Sequence, residues 1–113
     1  MFKISTNRVQ DTVRVREGNR SLDLSVDIDP RVFISELNKA QGQLAAVVDA
    51  TDDTAPHVVQ AAQGFAAAIF GKEQAGNLLA FYGSHAAPVL IICTEYLRRR
   101  LTAKIKRAQR AWR

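Results

Sequence analysis

Histidine, cysteine, paired aspartate and clustered cations are the residue types here that could do chemistry. Ser84-His85 sets a hydroxyl beside an imidazole, the raw material of a nucleophilic site. The setting is wrong for that role, because no G-x-S-x-G turn surrounds the serine and no acid partner is evident in the sequence. Asp52-Asp53 could ligate a metal, yet no matching carboxylate or histidine pattern lies nearby. The pair is expected instead to cap the following helix and complement its dipole. His57 falls at a helix start with neither a nucleophile nor a second ligand in view, which favours a surface or capping role. Gly71, Gly76 and Gly83 do not spell a phosphate loop: G-x-x-x-x-G-K-[ST] is absent and no strand precedes them. Cys93 ends the apolar run that begins at Pro88, so a buried, inert thiol is expected. No metal or cofactor is expected, and an enzyme is the least supported class.

The cations carry more information. Residues 1–97 hold 8 Lys/Arg and 11 Asp/Glu, a balance of −3, whereas residues 98–113 hold 8 Lys/Arg and no acid. The +5 net charge therefore belongs to the C-terminal tail. Within that tail Leu101, Ile105, Ala108 and Trp112 recur at spacings of four, three and four. Arg98, Arg99, Arg100, Lys104, Lys106, Arg107, Arg110 and Arg113 surround them. This pattern predicts a basic amphipathic arm that projects past the body. Arg98, Arg99, Arg100, Leu101, Lys104, Ile105, Arg107, Ala108, Arg110 and Trp112 are its candidate partner-binding residues.

Three uses of such an arm stay open. Cations suit the negative end of a helix dipole, but eight exceed what capping needs. Lys and Arg also neutralise phosphates, although the interleaved aromatics of single-strand readers are missing apart from Trp112. Finally, the apolar stripe could lie in the groove of an acidic amphipathic partner, or of a second copy. A membrane-surface mode uses the same features and ranks last.

The elements that must position these residues are legible from periodicity. The 113 residues suit one domain. It divides into a β-hairpin region (1–28), a helical core (29–97) and the basic arm (98–113). A short strand is possible at Phe2-Lys3-Ile4-Ser5. Val13-Arg14-Val15-Arg16 and residues 22–28 alternate apolar and polar, the period of half-buried strands. A two-residue Gly18-Asn19 turn would pair Val15 with Leu22, Val13 with Leu24 and Arg14 with Asp23. Because a lone hairpin is unstable in water, its apolar face must dock on the helices. It is either a lid on them or an edge offered to a partner strand.

Asp29-Pro30 marks the entry to a first helix, whose stripe of Phe33, Leu37, Ala40, Leu44 and Val47 should end near Asp49. A second helix over 55–70 presents Val58, Val59, Ala62, Phe65, Ala66 and Ile69, with Gly71 as its αL cap. A third spans 72–82 and stops at Gly83. Ser84 then caps a long last helix from about Ala87, with a seam of Leu90, Cys93, Leu97, Leu101, Lys104 and Ala108, widened by Val89, Ile92, Tyr96 and Ile105. The expected fold is thus α+β: about four helices and an N-terminal hairpin or small antiparallel sheet. Charge-free stretches at 54–71 and 74–94 are long enough to span a bilayer at ~20 residues. Their His, Gln, Asn, Gly and Pro residues argue for packed helices instead. The first eight residues lack a secretory apolar core, and the single cysteine fits a reducing compartment, so a cytoplasmic location is expected.

In layout the chain resembles small proteins of phage and prophage tail modules, the tail assembly chaperones of siphophages. The points of match are Ile69-Phe70-Gly71, Leu78-Leu79, Phe81-Tyr82-Gly83, Pro88 and Tyr96-Leu97 followed by a basic helix. The resemblance implies a non-enzymatic protein of the host-cell cytoplasm. Such a protein coats the long helical tape-measure protein, keeps it soluble and recruits tail-tube subunits. It would need apolar grooves and self-association rather than a catalytic site. The charge concentrated from Arg98 onward departs from the family pattern and keeps a nucleic-acid-binding alternative open.

Overall fold

A computed structural model describes residues 8–47 and 49–110. The expected strand at Phe2 to Ser5 lies outside them. Strands β1 (Val9–Glu17) and β2 (Arg20–Ile28) form a two-stranded antiparallel sheet in the expected register, with Val15 opposite Leu22, Val13 opposite Leu24 and Arg14 opposite Asp23. The Arg14–Asp23 pair closes at 2.8 Å on the solvent face. At the turn only Gly18 takes a positive φ, 59°. That places glycine at the first turn position, as a type II′ hairpin requires. The opposite face buries Val9, Val15, Leu24, Val26 and Ile28 against the helices.

Helix α1 (Pro30–Ala45) starts where Asp29 accepts the Arg31 backbone N–H at 3.0 Å, with Pro30 at the first helical position. It ends earlier than expected, at Ala45. The residues beyond it, Val47-Val48 and Asp49, have low helix propensity, and an acid is unfavourable at a helix C-terminus. Helix α2 (Pro56–Phe70) is the central element. Its Ala62, Phe65, Ala66 and Ile69 are buried together with Phe33, Leu37 and Ala40 of α1. Gly71 joins it to α3 (Lys72–Phe81). At φ 87° and ψ 159°, Gly71 lies outside the left-handed helical region, so it makes a sharp joint rather than the expected αL cap. The αL cap occurs one helix later, at Gly83 (φ 62°). There Ser84 N–H donates to Leu79 C=O at 2.9 Å and Gly83 N–H to Ala80 C=O at 3.1 Å, a Schellman pair.

Helix α4 (Ala86–Tyr96), a π turn (Leu97–Leu101) and α5 (Thr102–Arg110) follow one another without a break. As one rod they complete the expected four helices. The cap of α4 differs from expectation. Ser84 takes a left-handed φ of 65° and does not cap. Asp53 reaches in from the α1–α2 connection instead. Its C=O accepts Ala86 N–H at 2.9 Å, and its carboxylate approaches Ala87 N–H at 3.4 Å and His85 Nδ1 at 3.1 Å. Asp52 closes a local turn on Thr54 rather than capping α2, and that bonding holds its carboxyl below the usual range. Among the described residues no helix is long and apolar enough to cross a membrane.

One contact anchors the sheet to the helices. Gln74, in the first turn of α3, accepts Ser25 N–H at 2.7 Å and donates to Ser25 C=O at 2.6 Å and to Phe70 C=O at 2.7 Å. Its amide stands where another strand's peptide would lie, and so closes the outer edge of β2 at this point. Gln74→Ala is expected to lose about 1–2 kcal/mol of stability, read as a lower urea midpoint. An unchanged midpoint would mean that the Gln74 contact adds nothing to what the rest of the sheet's packing supplies.

Candidate functional site

The residues expected to form a projecting arm are partly folded into the body. Leu101 is fully buried and Ile105 is 5% exposed, both within the main core, and Ala108 is half-buried against it. The apolar stripe of α5 therefore faces β1 and α1, not solvent. This corrects the expectation that Leu101 and Ile105 are free to anchor a partner. The physical reason is simple. A two-stranded sheet leaves one apolar face uncovered, and the stripe of α5 covers part of it.

The π turn sets the geometry. Thr102 N–H and its Oγ1 both donate to Leu97 C=O, the hydroxyl at 2.8 Å, so the side chain reinforces the widened turn. Around it lies a polar cluster that strand alternation alone does not announce. Asp11 occupies the inner face of β1, opposite Val26, and its side chain is 6% exposed. It accepts the Tyr96 hydroxyl at 2.9 Å and the Arg100 guanidinium at 2.8 Å. Burial, and then the Asp11 bond, push the Tyr96 phenol up from its ordinary range. The Tyr96 ring also stacks on Phe70, with centroids 5.8 Å apart. Every polar group of the cluster is partnered, which marks it as a fastening of the rod to the sheet.

The other cations remain outside. Arg98 and Arg99 are about 70% exposed and share Glu95, at 3.5 and 3.0 Å. Exposed pairs of this spacing contribute only about 0.3–0.5 kcal/mol each. Lys106 and Arg107 are exposed and form no ion pair among the described residues, while Lys104 is half-buried beside Ile105. The Arg110 side chain and all of Trp112 lie outside the described residues. Arg98, Arg99, Lys106 and Arg107 thus stay exposed, Arg100 is exposed but paired with Asp11, and Leu101 and Ile105 are buried.

Two recesses were not foreseen. The first is a shallow trough along the α1–α2 seam. Ala61, Gly64, Ala67 and Ala68 line its α2 wall, facing Val32, Glu36, Lys39 and Gln43 of α1 and Ala46 just beyond it. Three adjoining recesses make it up, and from Val32 to Ala46 they follow the seam for about 20 Å at the rise of a helix. Val32, 56% exposed, stands at one end. The second is an apolar cleft of about 400 Å³ between the C-terminal end of α1 and the start of α4. Leu44, Val47 and Leu90 form its walls, Val58 contributes from α2, and the α1–α2 connection forms its lip. Signals for both were present, in the small residues of α2 and in the half-buried ends of the two stripes.

The remaining reactive residues sit as follows. His85 does meet an acid, Asp53, but this exposed pair caps a helix and aims at no enclosed cavity. Cys93 is fully buried, as expected, and burial pushes its thiol up to about 12. Among the described residues no group of three His, Cys, Asp or Glu side chains could hold a metal. In comparison with known proteins, no family model, no curated protein and no solved structure matches this chain.

Proposed function

We propose that this protein is a non-catalytic binder of helical polypeptide, and more specifically a phage-type tail assembly chaperone acting in the host cytoplasm. In that role it holds a tape-measure protein soluble and brings tail-tube subunits to it. The observation that carries the reading is the α1–α2 trough. Its small residues let a partner backbone approach closely, and Glu36, Lys39 and Lys72 on its margins keep it soluble when empty. Its length matches about four turns of a docked helix. The resemblance of its order of parts to tail-module proteins is what points the reading to this specific role.

The test is a tagged pull-down from the native host, with and without nuclease, for the wild type and for Ala68→Arg, which fills the trough from a half-buried position. Recovery of a long helical tail protein that survives nuclease and is lost with Ala68→Arg supports the reading. Partner recovery unaffected by Ala68→Arg removes the trough from it. A second reading, nucleic-acid binding, rests on the exposed Arg98, Arg99, Lys106 and Arg107. It requires DNA affinity that falls steeply with salt and a host co-purification signal that nuclease removes. That outcome, with no protein partner left, overturns the chaperone reading.

A further inference from the structure

We propose that the outer edge of β1, at Arg14 and Arg16, takes an added strand from a partner protein, a segment that alternates apolar and acidic residues.

The register fixes which main-chain groups point outward. Glu17 and Arg20 flank a two-residue turn and so exchange hydrogen bonds, and bonded and non-bonded pairs alternate from there. Ser21, Asp23, Ser25 and Asp27 therefore turn their N–H and C=O away from β1, as the Gln74 bonds to Ser25 bear out. Gln10, Thr12, Arg14 and Arg16 turn theirs away from β2. The two edges are treated differently. On β2 the Gln74 amide takes both groups of Ser25, and Arg8 donates to Asp27 C=O at 3.2 Å. On β1 the Asp11 carboxylate accepts Thr12 N–H at 2.9 Å, and towards the turn closure stops there. The N–H and C=O of Arg14 and of Arg16 have no hydrogen-bond partner among the described residues. Such a row of open groups is a template for a further strand.

What that strand must carry follows from the two faces of the sheet. Side chains directly opposite on paired strands share a face. Arg14 and Arg16 stand exposed on the solvent face, and Arg16 forms no ion pair among the described residues. Beside them an acid is attracted and a cation repelled. On the inner face Val15 is buried but Val13 only half-buried, so the open side of Val13 gains from an apolar neighbour. The fitting segment reads apolar, acid, apolar, acid. A second β1 does not fit, because pairing two copies over these positions sets arginine against arginine. Arg14 and Arg16 line no part of the α1–α2 trough, so the proposal does not rest on the chaperone reading.

Two terminally blocked peptides test this on the full-length protein, one alternating valine with glutamate and the other valine with lysine. Each is titrated to millimolar concentration while the amide NMR spectrum of the protein is followed. The glutamate peptide should move the Arg14 and Arg16 amide signals downfield to saturation and slow their exchange with solvent, and the lysine peptide should not. Arg16→Pro removes one outward N–H and leaves the ladder to β2 whole, since an edge strand accepts proline where the N–H faces away from its neighbour. It should keep the rest of the spectrum and weaken the glutamate peptide about tenfold or more. Arg16→Glu alters only an exposed side chain, and should narrow the preference for the glutamate over the lysine peptide. Amide signals that stay still with the glutamate peptide overturn the proposal. So do equal responses to the two peptides, or an undiminished response in Arg16→Pro. Shifts of the same amides with protein concentration alone would make the occupant a second copy, and overturn it too.

Discussion

Leu101→Asp is expected to unfold the protein, not merely to weaken a surface contact. Leu101 is among the largest fully buried side chains and lies between the rod and the sheet. Truncating such a leucine costs about 2–5 kcal/mol, and an aspartate adds the penalty of a carboxylate without partners in an apolar site. A domain of this size has about 5–15 kcal/mol in total, so the variant should be largely unfolded at 37 °C or melt far below the wild type. Arg99→Ala, two residues away on the exposed face, should shift stability by no more than about 0.5 kcal/mol. Thermal melts of the two variants decide the matter. A Leu101→Asp protein with wild-type melting would mean that the stripe is an external surface after all.

The second large effect should appear in alkali. Burial holds the Cys93 thiol at about 12 against an ordinary 9.0, and it also raises the Tyr96 phenol from 10.0. Both groups are neutral when protonated, and the folded chain keeps those protons where the unfolded chain has released them. Their stabilisation is therefore fully present below the unfolded values and is lost progressively as pH rises from those to the folded values. Between about pH 9 and 10 Cys93 is the main contributor, at a slope approaching 1.4 kcal/mol per pH unit, with the raised Tyr82 and Tyr96 phenols beginning to add to it. By pH 12 its share reaches about 4 kcal/mol, and Tyr96 adds to the loss above 10. Urea unfolding at several pH values tests this. The wild type should lose stability from pH 9 to 10, and Cys93→Ala should lose much less over that interval. A wild type that loses no more than the variant there would mean that Cys93 is open to solvent. A thiol reagent should agree, labelling Cys93 only as fast as the chain opens.

The hairpin was legible because two independent signals named one register: apolar residues matched in pairs, and Arg14 fell opposite Asp23. The helices were legible from spacing, with boundaries off by a few residues where caps were misread. What escaped was non-local. Asp11 stands in the file Val9, Asp11, Val13, Val15, so alternation read from Val9 puts a carboxylate on the inner face. Nothing near it explains why that is tolerated, because its partners lie 85 and 89 residues away. Asp53 likewise caps a helix 34 residues downstream. The basic stripe misled for a related reason. Periodicity shows that a helix has an apolar side but not whose surface covers it, and here the chain's own sheet covers part of that side. The identity of any partner had no such local signal.

The π turn at Leu97–Leu101 fixes the phase of everything after it. It behaves as one residue added to an α-helix, and each residue advances a helix by about 100°. Removing one residue from this segment would let the rod run as plain α-helix and turn α5 by that angle about its own axis. Ile105 would swing off the sheet, and the cations now facing water would be driven towards Val9 and Val15. Which face of the last helix is wet and basic, and which is dry, is thus decided by a single residue of chain length.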